Sequence, residues 1–194
     1  MTGAGSSSCA NPVQLPPGQH VVGHLPPSTC PPPAVTTAEW ELNVVTEDGV
    51  TARWDWSQLR SLPSRPVTLD LHCVAGWSVL ASTWDATCLH HLFDDVTTDA
   101  EYALVESYAD YSANLPLEDL LEMPTWLAYA HEGQPLSPER GGPVRLLIPH
   151  LYLWKSVKWV HAISLGREDR PGTRERAGYH NYGDPWRQQR TRCS

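Results

Sequence analysis

The chain has 194 residues, of which 41% are hydrophobic, so it is long enough to enclose one sizeable core and too apolar to stay disordered. Its formal net charge is −8, and an acidic chain is poorly suited to general binding of nucleic acids or membrane surfaces. The charge is unevenly divided, because residues 140–194 carry eleven Lys and Arg against four acids, whereas residues 1–139 carry three against eighteen. A basic final third is suited to holding one compact anion.

The cysteines and the N-terminal sequence together indicate a cellular compartment. The five cysteines are odd in number and form no Cys-x-x-Cys pair, and the N-terminal residues show no basic segment, apolar run or twin arginine. No apolar run approaches the roughly eighteen residues that a membrane-spanning helix needs. The sequence therefore predicts a cytoplasmic protein with reduced thiols and no membrane association.

The beginning of the chain differs in composition from the rest. Prolines remove backbone donors and restrict the residues before them, so the stretch PPGQHVVGHLPPSTCPPPAV cannot sustain a helix. We predict an extended arm rich in Pro, Ser and Gly over residues 1–38, disordered at its N-terminal end. One folded domain should follow over residues 39–194.

The folded part is predicted to consist of short strands and short helices. Apolar patterns predict strands at residues 40–46, 67–73, 102–108, 126–130, 144–148 and 158–165. Helical spacing and cap or proline signals predict helices at residues 57–62, 85–93 and 116–123. Ser57 should cap the first helix, Cys88 should be a small core residue of the second, and strand 144–148 should be central in its sheet. Without strict strand–helix alternation, the pattern predicts an α+β domain.

The predicted strand VTLDLHC ends in Cys73, and the chemistry of this thiol is open at this point. A zinc site is one alternative, with these candidate partners: His20, His24, Cys30, His72, His90 and His91. Adjacent strand residues point to opposite faces, however, so one ion rarely binds both His72 and Cys73. A catalytic nucleophile is a second alternative, but a helix N-terminus that would activate the thiol is not apparent before Asp85.

A basic loop supplies a third alternative. After the apolar strand 144–148, Pro149 begins a loop that ends in Lys155-Ser156-Val157-Lys158, and Arg140 and Arg145 precede it. Two lysines three residues apart, with backbone amides between them, can form a phosphate cradle.

Cys73 and the basic loop together carry a resemblance to a known family. The segments DLHCVAGWS, TWDATCLHHL, ADYSANLPLED, GGPVRLLIPHLYLWKSVKW and GYHNYGDPW occur in family order between residues 40 and 186. They resemble the oxidoreductase molybdopterin-binding domain of sulfite oxidases and of the bacterial methionine sulfoxide reductase catalytic subunit, and above all its small single-domain bacterial members. The resemblance implies an α+β fold of the sulfite oxidase type, with mixed β-sheets and short helices.

The resemblance also implies roles for individual residues. Cys73 would be the thiolate ligand of molybdenum in a molybdopterin cofactor, and a soft thiolate suits that metal. Tyr111 would line the substrate pocket together with His72 and Trp77. The cofactor itself would be held by the following residues: His72, Ser107, Arg140, Arg145, Lys155, Ser156, Val157 and Lys158.

The implied activity is two-electron oxygen-atom transfer on a small or peptide-borne sulfur compound or a similar substrate. The chain has no room for a haem domain, so electrons would be exchanged with a separate carrier, and a monomer is favoured. The alternatives from other classes are a non-catalytic molybdopterin-binding protein of the same fold and a zinc- or thiol-binding protein.

Two departures from the family pattern concern the substrate pocket. Sulfite oxidases follow the ligand cysteine with an Ala-Gly-Asn-Arg-Arg pattern, whereas this chain has VAGWSV, which supplies no cation in residues 74–79. An anion entering a pocket without a nearby cation would be poorly stabilised, so we expect a neutral substrate such as a sulfoxide to be preferred over sulfite. In addition, Arg140 replaces a histidine of the small bacterial members, and Thr173 and Arg174 replace an aromatic pair.

Overall fold

The structure is a computed structural model that describes residues 14–26, 30–49 and 51–194. Within these residues it contains short helices and two β-sheets. The strands are β1 (His20–Val21), β2 (Glu41–Val45), β3 (Thr51–Asp55), β4 (Ser64–His72), β5 (Trp77–Cys88), β6 (Tyr102–Ser107), β7 (Ser112–Pro116), β8 (Trp126–His131), β9 (Gln134–Pro135), β10 (Arg145–Leu147) and β11 (Val160–Gly166). The α-helices are α1 (Trp56–Ser61), α2 (Leu117–Leu121) and α3 (Thr173–Arg176). None of these described helices is long and apolar enough to cross a lipid bilayer.

Both sheets mix parallel and antiparallel pairs. The first has the strand order β1-β5-β8-β10, with β4 also paired to β5 and β9 to β8, and the second has the order β3-β2-β11-β6-β7. Strand β1 runs parallel to β5 and β2 runs parallel to β11, whereas the remaining pairs are antiparallel. The predicted α+β fold with mixed sheets and short helices is confirmed.

The main core contains apolar side chains from both sheets. Burial alternates along β2 and β6, which is the two-residue period of a strand with one face on the core. The alternation brings Leu42 and Val44 of β2 into one cluster with Leu115, Leu146 and Ile163, all of which are fully buried. A smaller cluster that contains Trp84 and Leu71 lies on the first sheet. The β-strand pairing therefore holds most of the molecule together.

The predicted helix over residues 85–93 is wrong. Strand β5 continues through Cys88, and only a 3₁₀ turn, Leu89–Leu92, follows it. Trp84 and Ala86 are fully buried on alternate positions of that strand, so the two-residue period overrides the helical spacing of the apolar residues. Cys88 is half-buried at the strand end and not inside a helix.

Two smaller predictions also need correction. Helix α1 is capped by Asp55 and not by Ser57, because Asp55 Oδ1 accepts from the Gln58 amide at 2.8 Å and Gln58 Oε1 accepts from the Asp55 amide at 2.8 Å. This reciprocal pair is a capping box. Strand β10 lies at the end of its sheet rather than in the centre. It is nevertheless buried, because the Leu146 amide donates to Val157 O at 2.8 Å in the loop that covers it.

The predicted arm lies partly outside the described residues, since residues 1–13 and 27–29 are not among them. The part that is described runs along the first sheet, where β1 adds to β5 with His20 opposite Trp77 and Val21 opposite Ser78. Strand β7 was not predicted from the sequence. It pairs with β6 at the edge of the second sheet.

A buried lysine connects the loop before β11 to the C-terminal part of the chain. The ammonium of Lys155 is fully buried and lies 2.7 Å from Glu175 Oε1. It also donates to Asn114 O at 2.7 Å and to Asn181 O at 2.6 Å. An ammonium group has three protons, and with Asn114 Oδ1 at 3.0 Å as a fourth acceptor every proton has a partner.

The same lysine determines where α3 lies. Glu175 belongs to α3 and also accepts from Trp154 Nε1 at 2.9 Å, so the helix is fixed to the loop that carries Lys155. Gly172, at the start of α3, packs so closely that an added Cβ would come within 2.5 Å of Glu175 Oε2. The position of Arg174, the neighbour of Glu175, therefore depends on this ion pair.

Replacing Lys155 with methionine should lower the free energy of unfolding by about 3–5 kcal/mol, because Glu175 would remain buried without its charge partner. The double variant Lys155→Met with Glu175→Leu should recover part of that loss, since no unpaired charge is left inside. Urea unfolding followed by tryptophan fluorescence measures both effects. Lys158→Met serves as the control and should stay within about 1 kcal/mol of the wild type. An equal loss in the control would contradict this role of Lys155.

Candidate functional site

Cys73 lies in a tight loop between two paired strands. Its amide donates to Trp77 O at 2.8 Å, and its carbonyl accepts from the Gly76 amide at 3.0 Å. Gly76 has a φ of +93°, a left-handed conformation that favours glycine. The thiol is half-buried at the end of the first sheet. A single half-buried turn therefore presents one soft donor at a fixed place.

Burial and nearby cations act on this thiol in opposite directions. Burial, the larger effect, raises the pKa of Cys73, whereas the Ala75 amide and the positive charges of Arg174 and Arg190 lower it. The net result is a raised pKa, so the thiol is protonated at neutral pH without a ligand. Binding a metal would release that proton.

Tyr111 lies near Arg174, whose charge also acts on Cys73. The Tyr111 hydroxyl donates to Trp154 O at 2.6 Å, and burial followed by the charge of Glu175 raises the pKa of Tyr111. Arg174 opposes that rise. The Arg174 guanidinium lies 5.1 Å from the centroid of the Tyr179 ring and donates to the Tyr179 hydroxyl at 3.4 Å. A neutral phenol thus lies near an exposed cation whose charge reaches the thiol.

Sequence reasoning did not assign the two arginines near Cys73 to the site. They are 101 and 117 positions away along the chain and belong to no motif quoted for the site. The sequence left open that an arginine of residues 167–176 could enter the pocket, and Arg174 stood out there only because it replaces an aromatic residue of the family. Arg190 lies in a basic segment whose sequence predicts a solvated tail.

A second group of residues forms a cluster of cations without acidic partners. Arg145 is 4% exposed, and it donates through Nη1 to Arg140 O at 3.0 Å and through Nη2 to Ser156 O at 3.4 Å. Within the described part of the chain, Arg145 Nε and Arg140 Nη1 are buried without hydrogen-bond partners. No carboxylate among those residues forms an ion pair with Arg140, Arg145 or Lys158. Such a set of unpaired cations requires an anion.

The mutual repulsion of these cations appears in their proton affinities. Burial and then the charge of Arg140 lower the pKa of Arg145 to about 10. Burial and then the charge of Arg145 lower the pKa of Lys158 to about 8. A bound anion would reverse both effects, because an opposite charge favours the protonated form.

A glycine allows the cations to approach one another. Gly141 has a φ of +103°, and a Cβ at this position would come within 2.9 Å of Lys158 Cβ and 3.2 Å of Arg145 Cβ. The Gly141 carbonyl accepts from the Trp159 amide at 3.2 Å, and the Trp159 carbonyl accepts from the Tyr108 amide at 2.9 Å. This chain of backbone contacts connects the cluster to the end of β6.

The remaining predicted residues fall into three places. Ser156 and Val157 lie in the loop beside the cations, where Ser156 Oγ accepts from the Ile148 amide at 2.9 Å. Ser107 is buried at the end of β6, where its hydroxyl accepts from the Ala109 amide at 3.1 Å. His72 is buried below the Cys73 loop, and its Nδ1 lies 2.8 Å from Ser78 Oγ.

Lys155 is the exception, because its ammonium does not reach the cation cluster. Its three protons are committed to Glu175, Asn114 and Asn181, which form a separate buried network. The prediction that Lys155 and Lys158 form a phosphate cradle with both side chains is therefore corrected. The second cation beside Lys158 is Arg145, and Arg140 is the third.

The chemistry of the two groups matches two parts of a molybdopterin cofactor. The unpaired cations match a phosphate, and the lone thiol matches a metal whose other donors come from a bound ligand. A zinc site would instead require several protein ligands together. Among residues 14–26, 30–49 and 51–194, no group of three or more His, Cys, Asp or Glu side chains is arranged to hold a metal ion.

Comparisons with known proteins identify the class to which this fold and site belong. The sequence model of the oxidoreductase molybdopterin binding domain matches residues 29–174. The chain belongs to this family, and it is a molybdopterin-dependent oxidoreductase.

One curated relative and one solved structure give the comparison more detail. The chain is 38% identical over 154 residues to the uncharacterized oxidoreductase YuiH of Bacillus subtilis, and the match covers 78% of each protein. The crystal structure of the sulfane dehydrogenase SoxCD from Paracoccus pantotrophus has the same fold, with a TM-score of 0.61 and 16% identity. That match covers 70% of this chain, which spans only 40% of the SoxCD chain.

The affinity of the cation cluster for a divalent anion should depend on pH through Lys158. Below about pH 8 Lys158 is protonated, and above it the ammonium loses its proton, so affinity should fall as the pH rises. Losing one charge-assisted hydrogen bond, roughly 1.5–3 kcal/mol, corresponds to about tenfold or more in affinity. Isothermal titration of cofactor-free protein with sulfate, an anion that does not titrate in this range, measures the effect.

Lys158→Arg is the matched control for this pH dependence. An arginine keeps its charge across the range in which Lys158 titrates, so the affinity of this variant should stay nearly constant between about pH 6 and about pH 9, below the pKa of about 10 of Arg145. A wild-type affinity that does not change through about pH 8 would contradict the placement of Lys158 at the anion site.

Proposed function

We propose that this protein binds a molybdenum–molybdopterin cofactor and carries out oxygen-atom transfer on a small sulfur compound or a similar substrate. The observation that carries the proposal is the pair of environments described above, one soft thiol at a turn and one buried set of unpaired cations. When bound, the cofactor would supply a metal centre that exchanges two electrons and one oxygen atom with the substrate.

The atoms and electrons of the proposed reaction balance with water and a redox partner. In the oxidative direction, substrate and water give the oxygenated product, two protons and two electrons. The reductive direction consumes the same protons and electrons and releases water. The electrons would pass to or from a separate redox carrier.

The residues of the chain would bind, orient and exclude water. Arg140, Arg145 and Lys158 would neutralise the cofactor phosphate, while Ser107, Ser156 and Val157 would surround the pterin. Cys73 would donate its thiolate to the metal. Tyr111, with its raised pKa, would stay protonated, and because its one proton is donated to Trp154 O, its hydroxyl oxygen could accept a hydrogen bond from a substrate.

Cys73→Ser should leave the fold intact and reduce turnover to below about 1% of the wild-type rate, because a hydroxyl is a harder and weaker donor than a thiolate. Cys88→Ser is the matched control, since Cys88 is also a half-buried thiol at a strand end. Circular dichroism, molybdenum content and turnover with an artificial redox dye are measured on each variant. Wild-type activity in Cys73→Ser would refute the assignment of the metal ligand.

The charge of the preferred substrate depends on the cations near Cys73. The expectation of a neutral substrate rested on the lack of a cation in residues 74–79. Arg174 and Arg190 now supply two positive charges that act on Cys73 from distant parts of the chain. Arg174 is exposed and forms no ion pair with a carboxylate of the described residues. We therefore propose that the pocket accepts a small anion, such as sulfite, at least as well as a sulfoxide.

Arg174→Gln should lower kcat/KM for sulfite by about tenfold or more, equivalent to about 1.4 kcal/mol, and leave kcat/KM for a methyl sulfoxide nearly unchanged. Arg176→Gln on the same helix is the control, because its guanidinium donates to Pro171 O at 2.7 Å. Steady-state assays with both substrates and an artificial redox partner give the ratio. Equal losses for both substrates would show that Arg174 does not recognise substrate charge.

A further inference from the structure

Two segments outside the matched domain hold the Cys73 loop from opposite ends of the chain. The matched domain covers residues 29–174, whereas the contacts to the loop come from residues 17–22 and from Arg190. The loop itself, residues 73–78, lies near the middle of the sequence. Three distant parts of the chain therefore meet at the proposed metal ligand.

The first segment contacts the loop through backbone and side chain. The His20 amide donates to Gly76 O at 2.9 Å, and the Val22 amide donates to Ser78 O at 2.8 Å. Gln19, which precedes His20, donates through Nε2 to the carbonyl of Cys73 itself at 3.0 Å. Gln19 Oε1 accepts from Ser78 Oγ at 3.1 Å, so one amide side chain connects both ends of the loop.

Arg190 connects all three parts of the chain. Arg190 Nη1 donates to Val74 O, the carbonyl next to Cys73. Its other terminal nitrogen, Nη2, donates to Gly18 O at 3.3 Å and to Pro17 O at 3.5 Å. The planar guanidinium thus bridges the Cys73 loop and the N-terminal segment with a fixed fork of donors.

Two glycines make this close approach possible. Gly18 has a φ of +70°, and an added Cβ would lie 3.1 Å from Arg190 Nη2. Gly76 has a φ of +93°, and an added Cβ would lie 3.3 Å from Gly18 O. The three parts of the chain pack with no room for a larger residue at either position.

We propose that Gln19 and Arg190 are positioning residues that fix the direction in which Cys73 presents its thiol to the cofactor metal. The carbonyls of two successive peptides, Cys73–Val74 and Val74–Ala75, are tied to Gln19 and Arg190 respectively, so neither peptide plane can rotate freely. Rotation of the first plane would change ψ of Cys73 directly, and the second plane holds the loop that follows it. The metal in this proposal rests on the proposed function, whereas the contacts of Gln19 and Arg190 with the loop do not depend on it.

Hydrogen exchange on the cofactor-free full-length protein tests the first half of the proposal. Amides of residues 73–78 should exchange about tenfold faster in Gln19→Leu and in Arg190→Gln, as expected for the loss of one or two hydrogen bonds. Arg187→Gln is the matched control, because this arginine of the same segment pairs only with Asp184. Unchanged exchange across β11 would show that each variant keeps its fold.

The geometry of the bridge is tested with Arg190→Lys. A lysine retains the charge but has no planar fork, so it should not restore slow exchange in residues 73–78. Full restoration by lysine would mean that charge alone suffices and would overturn the bridge. Wild-type exchange in both Gln19→Leu and Arg190→Gln would overturn the proposal as a whole.

The loaded protein tests whether the loop positions the metal ligand. At equal molybdenum content and unchanged unfolding free energy, Arg190→Gln should broaden or split the electron paramagnetic resonance signal of one-electron-reduced molybdenum, which responds to the orientation of the thiolate. An unchanged signal with faster loop exchange would refute the positioning role. Wild-type protein that binds no molybdenum would instead refute the proposed function, while the exchange result would still stand.

Discussion

The arrangement of the site depends on a buried ammonium group that must find an acceptor for each of its protons. Lys155 satisfies this requirement with Glu175 and with carbonyls of Asn114 and Asn181. Because the acceptors come from β7, α3 and the segment after α3, the requirement holds three separate elements in one place. The placement of Arg174 and the path of the chain beyond residue 181 both follow from it.

The sequence predicted this molecule well where local periodicity agreed with the final packing. Strands β2 and β6 alternate between buried and half-buried residues, and their two-residue period is visible without a structure. The prediction failed at residues 85–93, where apolar residues at helical spacing lie on a strand. There, pairing with β4 and β8 on both sides of β5 decided the outcome, and such nonlocal pairing leaves no local signal.

For the candidate site too, the sequence indicated the residues that belong to short motifs and did not indicate those that only the fold brings together. Cys73 and the basic loop were found because each is a short motif, and the structure places Arg145 and Lys158 together as those motifs indicated. The structure separates Lys155 from them because a loop directs side chains three residues apart to different neighbours. Arg174 and Arg190 were missed because only the tertiary fold brings them near Cys73.

The convergence of distant segments on the Cys73 loop has a consequence for biosynthesis. Gln19 is available early, but Arg190 is made 116 residues after Val74, so the loop cannot acquire its last contact until residue 190 has left the ribosome. Contacts of such long sequence separation form late in folding because they close large loops. A nascent chain would therefore hold its thiol in an unsettled loop during translation, and insertion of a cofactor would await synthesis beyond residue 190.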